Sequence, residues 1–451
     1  MLLKKFRFGT GISSYQVEGA YKEDGKEESI WDAFTHEKGN VLDGTNGDVA
    51  LDFYHRYRED LDLAKELGIQ DFRFSLSWTR VIKEDGTPNP EGIRFYQSLI
   101  EEIKKRNRNP VRTIYHWDRP RWFLEKGAFL PRTCLEDFSK YRDIVSECFA
   151  PLRTDFISFN EPQCFLFLGF HKGGHAPNVL RNYLDLCQRA HHVLLCHAIA
   201  FEKIKAKNPL ADVAFVNTFS ASIPRRDDDV LLDKRKEIFF AYPKKAEDFY
   251  TVSIYGDPLY LGKYPNGYLE SLPDTSFVHQ GDIERIFRAK PKTCDCNIYT
   301  GRYYDLNQEG NLFEVRKESK KEKSDLAWLK KRPSSVYYGP LFRYDRYHLP
   351  IRITENGGCY KDSLEKGLVH DKDRVSYLKE YLSRVDKANQ DGIPIVAYYY
   401  WSLLDNFEWA EGYSKRFGLV YIDYDNGLKR IKKDSFYAYQ KIIEDAKKQI
   451  E

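Results

Sequence analysis

Short apolar runs alternate with longer amphipathic segments along almost the whole chain. Eight runs have the length and apolar character of buried strands, and they lie at residues 6–13, 71–77, 111–115, 155–159, 213–217, 293–299, 351–354 and 395–401. Runs of this kind, rich in β-branched and aromatic residues, predict strands covered on both faces.

The segments between these runs repeat their apolar positions at helical spacing. In residues 51–67 one face carries Leu51, Tyr54, Leu61 and Ala64, and Gly68 follows as a helix stop. Strands that alternate with helices pair in parallel through right-handed crossovers. Eight such units predict a closed (β/α)8 barrel.

The chain has 451 residues, a length at which two domains are often found. Barrels are the exception, since their βα loops add length without adding a core. No linker rich in Pro, Gly or Ser divides the sequence, and the interval 220–292 is longer than one crossover helix needs. We therefore predict a single barrel domain over residues 1–451, with extended βα loops.

Two predicted strands end in a glutamate. Residues 155–162 read Asp-Phe-Ile-Ser-Phe-Asn-Glu-Pro and place Glu161 after the fourth strand, whereas residues 351–357 place Glu355 at the end of the seventh. Barrel active sites form at the carboxyl ends of the strands, so both side chains are expected at one mouth. A single glutamate after a strand is more often a helix-start or surface acid, and the pair alone leaves the reaction open.

Two carboxyl groups across a glycosidic bond suit retaining hydrolysis. One protonates the leaving oxygen while the other attacks the anomeric carbon, which requires environments that separate their pKa values. Arg73, inside the second predicted strand, is a candidate cation to keep Glu355 ionised.

Charge and cysteine content exclude several other classes. The 71 basic and 68 acidic residues give a net charge of +3, without the basic excess typical of nucleic-acid binding. No apolar run is long enough to span a bilayer and no leader pattern is visible, so we expect a cytoplasmic protein without a membrane partner. The 8 cysteines form no C-x-x-C pair, and neither a metal nor a cofactor is implied.

At the two glutamates the sequence resembles glycoside hydrolase family 1, and the resemblance covers nearly the whole chain. Five ordered segments carry it: Phe8–Ala20, Tyr115–Asp118, Phe159–Pro162, Ile353–Gly357 and Tyr400–Trp409. The resemblance implies a retaining β-glycosidase, foremost a β-glucosidase with possible β-galactosidase or β-fucosidase activity, that acts on a small β-glycoside or oligosaccharide. Glu161 would be its acid/base and Glu355 its nucleophile.

The resemblance also implies roles for other residues. Tyr299 would donate to Glu355, with Asn297 beside it. The innermost sugar would contact Gln16, His116, Asn160, Asn297, Tyr299, Trp401, Glu408, Trp409 and Phe417. Amides, imidazole and indole N–H groups suit sugar hydroxyls, and aromatic faces suit the C–H-rich faces of sugars.

Three residues near the presumed aglycone side depart from the family pattern. Gln163 stands where many relatives carry an aromatic residue, and Arg119 and Arg121 replace an apolar and a neutral polar residue. An arginine facing the cleft would favour an anionic aglycone, whereas an exposed loop charge would have no such effect. An arginine that faces the cleft is less frequent than one in an exposed loop.

Other functions within the same family remain alternatives. Relatives that act on 6-phosphosugars usually lose the Glu-Trp pair that is intact here as Glu408 and Trp409, while thioglucosidases lose the acid/base that Glu161 retains. A non-catalytic sugar-binding barrel would typically lack one of the two glutamates. The natural aglycone, the oligomeric state and the balance between hydrolysis and transglycosylation are left open.

Overall fold

The fold was analysed in a computed structural model that describes residues 5–152, 155–226, 228–316, 319 and 322–450. The described strands are β1 Arg7–Gly11, β2 Asp71–Ser75, β3 Asn109–Tyr115, β4 Asp155–Asn160, β5 Val213–Thr218, β6 Ala221–Pro224, β7 Cys294–Asn297, β8 Gly301–Leu306, β9 Leu312–Glu314, β10 Ile351–Asn356, β11 Ile395–Trp401, β12 Val420–Asp423 and β13 Lys429–Lys432.

The described helices include both short turns of helix and long barrel helices. They are α1 Ser14–Val17, α2 Ile30–His36, α3 Phe53–Leu67, α4 Trp78–Val81, α5 Pro90–Lys105, α6 Arg121–Glu125, α7 Cys134–Phe149, α8 Pro162–Phe167, α9 Tyr183–Lys207, α10 Asp229–Phe239, α11 Ser253–Leu261, α12 Asp282–Arg288, α13 Ser335–Tyr347, α14 Lys372–Gln390 and α15 Asp434–Ile450. None of them combines the length and the apolar character that a membrane-spanning segment requires.

Eight parallel strands close into a barrel, which confirms the predicted fold class. Their order is β1-β2-β3-β4-β5-β7-β10-β11, with β11 pairing back to β1. Each of the eight predicted runs supplies one of these strands. The helix predicted over residues 51–67 begins two residues late, at Phe53, and ends at Leu67, where Gly68 adopts a φ of 84°. Glycine accepts this left-handed conformation without a steric penalty.

Small and branched side chains fill the barrel interior, and charged side chains close its amino-terminal end. Val111, Ile157, Ala214, Val216, Ala397 and Tyr399 form one buried cluster. Below them, Arg352 pairs with Asp295 at 2.6 Å, and Tyr399 donates to Asp71 at 2.9 Å. These contacts stabilise the amino-terminal end, whereas barrel active sites form at the opposite end, at the strand carboxyl termini.

The long interval after β5 contains added structure at the barrel mouth. Its strand β6 pairs with β8, and β8 pairs with β9, so that segments following β5 and β7 join in one small three-stranded sheet. This sheet supplies one wall of the cavity described below.

Candidate active site

A cavity of about 890 Å³ opens at the carboxyl ends of the barrel strands, and both predicted glutamates line it. Glu161 directly follows β4, and Glu355 lies one residue before the end of β10. Glu161 has a φ of 48° and ψ of 67°, and Pro162 then begins α8. This backbone turns the chain at once from strand to helix and leaves the Glu161 side chain at the mouth.

Glu355 is held by one cation and one phenol. Arg73 Nη1 lies 2.6 Å from its Oε1, and the Tyr299 hydroxyl lies 2.7 Å from its Oε2. The three side chains come from β10, β2 and the chain just after β7. Burial raises the pKa of Glu355, but Arg73 and Tyr299 act in the opposite direction and stabilise the carboxylate.

Glu161 has a different environment, with no cation bonded to it. Its Oε1 accepts a hydrogen bond of 2.8 Å from the Asn297 amide. Burial, together with repulsion from Glu355, raises the pKa of Glu161 to about 7. When the carboxylates of Glu161 and Glu355 together bind one proton, that proton resides on Glu161, because Glu355 has the stronger hydrogen-bond donors.

A polar network connects the two glutamates beneath the cavity. Asn160 Oδ1 accepts from Arg73 at 2.8 Å and from Asn297 at 3.0 Å. Its amide nitrogen lies 3.1 Å from Nε2 of His116. Burial and the nearby Arg73 hold the pKa of His116 well below its usual value, so its ring is neutral and Nε2 accepts this bond. The proton then resides on Nδ1, which is buried and has no described hydrogen-bond partner.

Aromatic rings form the opposite wall. Trp401, Trp409 and Phe417 line the cavity, and the ring of His116 stacks within 5.8 Å of Trp401 and 6.0 Å of Trp409. Trp117 also lines it, 4.7 Å from Trp409, although the sequence analysis did not assign it to the site. Its position beside His116, inside the family segment Tyr115–Asp118, is the sequence feature that indicates a place in the site.

The approach of β10 to the end of β11 depends on glycine. A Cβ atom on Gly357 would lie 1.9 Å from the carbonyl oxygen of Trp401. Any side chain would therefore separate the segment after Glu355 from the segment that carries Trp401. The Glu-Asn-Gly turn therefore allows Glu355 and Trp401 to lie close together at the cavity.

Other predicted sugar contacts lie behind the cavity surface. The Gln16 amide donates to Asn406 at 3.0 Å and to the Phe407 carbonyl at 2.7 Å, and its oxygen lies 2.6 Å from Ser13. In this arrangement Gln16 supports the backbone next to Glu408, and Asn160 and Asn297 support the two glutamates. Direct contact of these three amides with a sugar stays a prediction.

Glu408 lines the cavity and is partly exposed to it. Loss of hydration, with repulsion from Glu355, raises its pKa to about 8. A protonated Glu408 can both donate to and accept from sugar hydroxyls. The nearby cation Lys415 is paired with Asp325 at 3.2 Å.

The three departures from the family pattern do not line this cavity. Arg121 is exposed and pairs with Glu28 at 2.9 Å and Glu125 at 3.2 Å. Arg119 is completely buried, where it donates to the Tyr115 hydroxyl and packs on Phe170. Both sequence-based placements of Arg119, in the cleft or in an exposed loop, are therefore wrong. A guanidinium can be buried on aromatic faces, which the local charge pattern could not indicate.

Gln163 is likewise an internal residue. Its amide donates to Asn217 at 2.9 Å and to the Thr251 carbonyl at 3.0 Å. Next to it, Cys164 does line the cavity, and Tyr250 donates to its sulfur at 3.2 Å. Burial raises the pKa of the Cys164 thiol well above its usual value, so it is not an activated nucleophile.

The three histidines of α9 are buried in protein contacts. His191 lies between Asp282 and Tyr264, His192 meets the Phe129 carbonyl, and His197 meets Ser158 and Ala289. Within the described part of the chain, no three His, Cys, Asp or Glu side chains converge as a metal-binding group.

A closed parallel barrel with two buried carboxyl groups in unlike environments at its mouth defines a glycosidase-type site. The chain belongs to glycosyl hydrolase family 1, whose sequence model matches residues 1–448. This finding confirms the resemblance seen in the sequence.

Individual relatives resemble the chain over nearly its full length. It is 35% identical to beta-glucosidase A of Acetivibrio thermocellus, with 98% of each chain covered. It is 34% identical to a bifunctional beta-D-glucosidase/beta-D-fucosidase of Bifidobacterium breve, again with 98% of each covered. The beta-glucosidase of Thermotoga maritima in complex with glucoimidazole superposes with a TM-score of 0.86, at 31% identity and 98% coverage of both chains.

Proposed function

We propose that this protein is a retaining β-glucosidase that removes terminal β-linked sugars from small glycosides. The unequal surroundings of the two buried glutamates carry the proposal. Arg73 and Tyr299 stabilise a charged Glu355, while Glu161 lacks a bonded cation and has a pKa raised to about 7. One ionised and one protonated carboxyl group are what double displacement requires at its start.

In the first step, the Glu355 carboxylate attacks the anomeric carbon. The bond from that carbon to the aglycone oxygen breaks, and this oxygen takes the proton of Glu161. The products are a glycosyl ester on Glu355, an ionised Glu161 and the free aglycone. The Asn297 amide, which bonds to Glu161 at 2.8 Å, stabilises the resulting carboxylate.

In the second step, Glu161 acts as a base. It takes a proton from water, the water oxygen attacks the anomeric carbon, and the ester bond to Glu355 breaks. The released sugar has the β configuration of the substrate. His116 and Glu408, which both line the cavity, hold the hydroxyls of the innermost sugar in this proposal.

Two variants test the assigned roles separately. Glu355→Gly should abolish hydrolysis of 4-nitrophenyl β-glucoside, because no nucleophile remains. Glu161→Ala should slow it strongly, and azide should restore turnover of a substrate with an activated leaving group by attacking the glycosyl ester without a base. Glu365→Gln, at an exposed glutamate outside the cavity, is the matched control and should hydrolyse as the wild type does.

The stereochemistry gives an independent readout. Proton NMR of the first product should show the β anomer before mutarotation, and an initial α anomer would contradict the mechanism. Glu161→Ala that keeps full activity, or that azide does not accelerate, would contradict the acid/base assignment.

The glycone is proposed to be an unphosphorylated sugar. Glu408 and Trp409 both line the cavity, and Lys415 is already paired with Asp325. A phosphate beside Glu408 would face a carboxyl group rather than a cation, which is unfavourable. A panel of nitrophenyl β-glucoside, β-galactoside, β-fucoside and 6-phosphoglucoside should give the highest kcat/KM for the glucoside or fucoside.

We also propose a single catalytic domain and a cytoplasmic location for this protein. We treat residues 1–451 as one catalytic domain, since strands from both ends of the sequence, β1 and β11, close the same barrel. A cytoplasmic location is supported by the eight cysteines, all of which carry free thiols.

A further inference from the structure

Basic side chains line one wall of the cavity, at and beside the small sheet of the barrel mouth. Arg302 of β8, Arg316 after β9 and Lys330 line this wall, with Glu314 among them. We call this set the basic wall. Lys172 and Glu411 also line the cavity and contribute one charge of each sign.

The strand register places the two arginines together. In the β8–β9 ladder Tyr304 pairs with Glu314, and the Val315 amide donates to the Tyr303 carbonyl at 2.8 Å. Continued by one more pair, this antiparallel register puts Arg316 opposite Arg302. Like charges directly opposite on a sheet destabilise it unless an anion lies between them.

Glu314 offsets this repulsion only weakly. Its Oε2 lies 3.8 Å from Arg302 Nη1, and the Arg302 side chain is 58% exposed. By contrast Arg332, which also lines the cavity, is buried and is paired with Glu322 at 3.2 Å. Arg302 and Arg316 therefore line the cavity, and the described ion pair of Arg302 is long and exposed, which leaves its guanidinium group available to an anion.

An aromatic ring lies between the basic wall and the catalytic pair. Trp328 is 54% exposed and stands edge-on to Tyr299, the donor to Glu355, with ring centres 6.0 Å apart. Lys330 follows two residues later, and its backbone is held to the Thr300 hydroxyl at 3.0 and 3.2 Å. A molecule leaving the anomeric centre would thus pass an aromatic face before it reaches the cations.

We propose that the basic wall is an aglycone site for β-glycosides whose aglycone carries an anionic group on an aromatic ring. Trp328 would stack on the ring, and the arginines would bind the anion. Guanidinium groups are weakly hydrated and match planar oxyanions in bidentate geometry, which suits a partly exposed site. This inference rests on the proposed glycosidase activity and specifies the aglycone class for the same site.

Two substrates that share one phenolic leaving group, but differ in charge, test the anionic aglycone site. In 4-(2-carboxyethyl)phenyl β-glucoside the carboxylate is insulated from the phenol by two methylenes, and the corresponding primary amide serves as the neutral reference. The ratio of kcat/KM for acid to amide should be about tenfold at low salt and should fall as NaCl is added, because salt screens exposed charges. An analogue with a phosphate in place of the carboxylate then distinguishes the two anion types.

Substitutions in the basic wall test whether its arginines cause the higher kcat/KM for the acid. The double substitution Arg302→Gln/Arg316→Gln should bring the ratio close to one and remove its salt dependence, whereas Glu314→Gln should increase it. Using a ratio within each variant cancels any loss of folded protein. Arg121→Gln, an exposed arginine outside the cavity, should keep the wild-type ratio.

The outcomes separate this inference from the function on which it rests. If the amide is not hydrolysed at all, the proposed glycosidase activity fails. If the amide is hydrolysed and the ratio is one, or if the double variant leaves the ratio unchanged, the anionic aglycone site is overturned while the activity stands.

Discussion

At the scale of single residues, the ionisation of Glu355 depends on donors of two kinds. Arg73 supplies a charge and Tyr299 supplies a neutral hydroxyl at 2.7 Å, and both oppose the effect of burial. The hydroxyl can be removed without creating an unpaired charge, so Tyr299 offers a clean test of how the nucleophile is controlled.

Tyr299→Phe should raise the pKa of Glu355, because a donor to its ionised form is lost. The group then needs a higher pH to ionise, so the acidic limb of the kcat/KM profile should move to higher pH. At the optimum, kcat should fall by roughly 10²-fold, as expected for the loss of one preorganised donor. The alkaline limb, which follows Glu161, should remain near pH 7.

The matched control is Tyr337→Phe. It removes another phenol that donates to a carboxylate, Asp391 at 2.7 Å, far from the barrel mouth. Its pH profile should overlay that of the wild type. An unchanged acidic limb in Tyr299→Phe would show that Arg73 alone sets the ionisation of Glu355.

At the scale of elements, a buried ion network joins the segments that follow β10, β11 and β13. Lys433, directly after β13, lies 2.5 Å from Asp362 and 2.7 Å from Asp405, and Arg374 of α14 pairs with Asp362 at 2.9 Å. Asp405 belongs to the segment that leads to Glu408. The network therefore connects the stability of the carboxy-terminal elements to the position of a proposed sugar ligand.

Lys433→Met should destabilise the protein by about 3 kcal/mol, because two buried carboxylates lose their shared cation while Arg374 and Arg416 remain paired with them. The size of the side chain is nearly preserved, so packing loss contributes little. Denaturant unfolding measures the change. Lys441→Met, at an exposed lysine paired with Asp445, should leave the midpoint where it is; an equal shift in both variants would rule out a special role for the network.

The barrel strands differ in how closely the sequence predicts their bounds. The β11 strand was predicted with its exact bounds, since its apolar run is uninterrupted and is closed by a turn. The sixth predicted strand, residues 293–299, is shorter in the structure, Cys294–Asn297. It ends early because the Ile298 amide donates to the Glu355 carbonyl, after which Tyr299 reaches the Glu355 carboxylate.

The small sheet at the mouth was not predicted, for a physical reason. Its strands β6 and β8 are about eighty residues apart in sequence, and no local periodicity encodes which distant segment a short strand will join. The basic wall belongs to this sheet. Arg119 and Arg121, the arginines that suggest an anionic aglycone in the sequence, lie outside the cavity, and other cations line it.

At the scale of the whole molecule, the residues that line the cavity come from distant parts of the sequence. His116 follows β3, Glu161 follows β4, and Trp401 ends β11. A ligand that fills the innermost site therefore contacts many barrel elements at once. Binding to the folded state alone stabilises it by mass action, by about 2.7 kcal/mol at a ligand concentration of 100 Kd.

If residues 1–451 form one domain, ligand binding must stabilise the entire chain as one cooperative unit. Calorimetry should show one unfolding transition. Under the proposed β-glucosidase function, glucoimidazole, which is present in the structure of the Thermotoga maritima relative, should raise the midpoint of this transition by a few degrees without splitting it. A sugar alcohol at the same concentration, which cannot bridge the two glutamates as a ring, should have no comparable effect. Two transitions, of which glucoimidazole moves only one, would show that part of the chain folds independently of the barrel, because a single cooperative unit cannot be stabilised in one half alone.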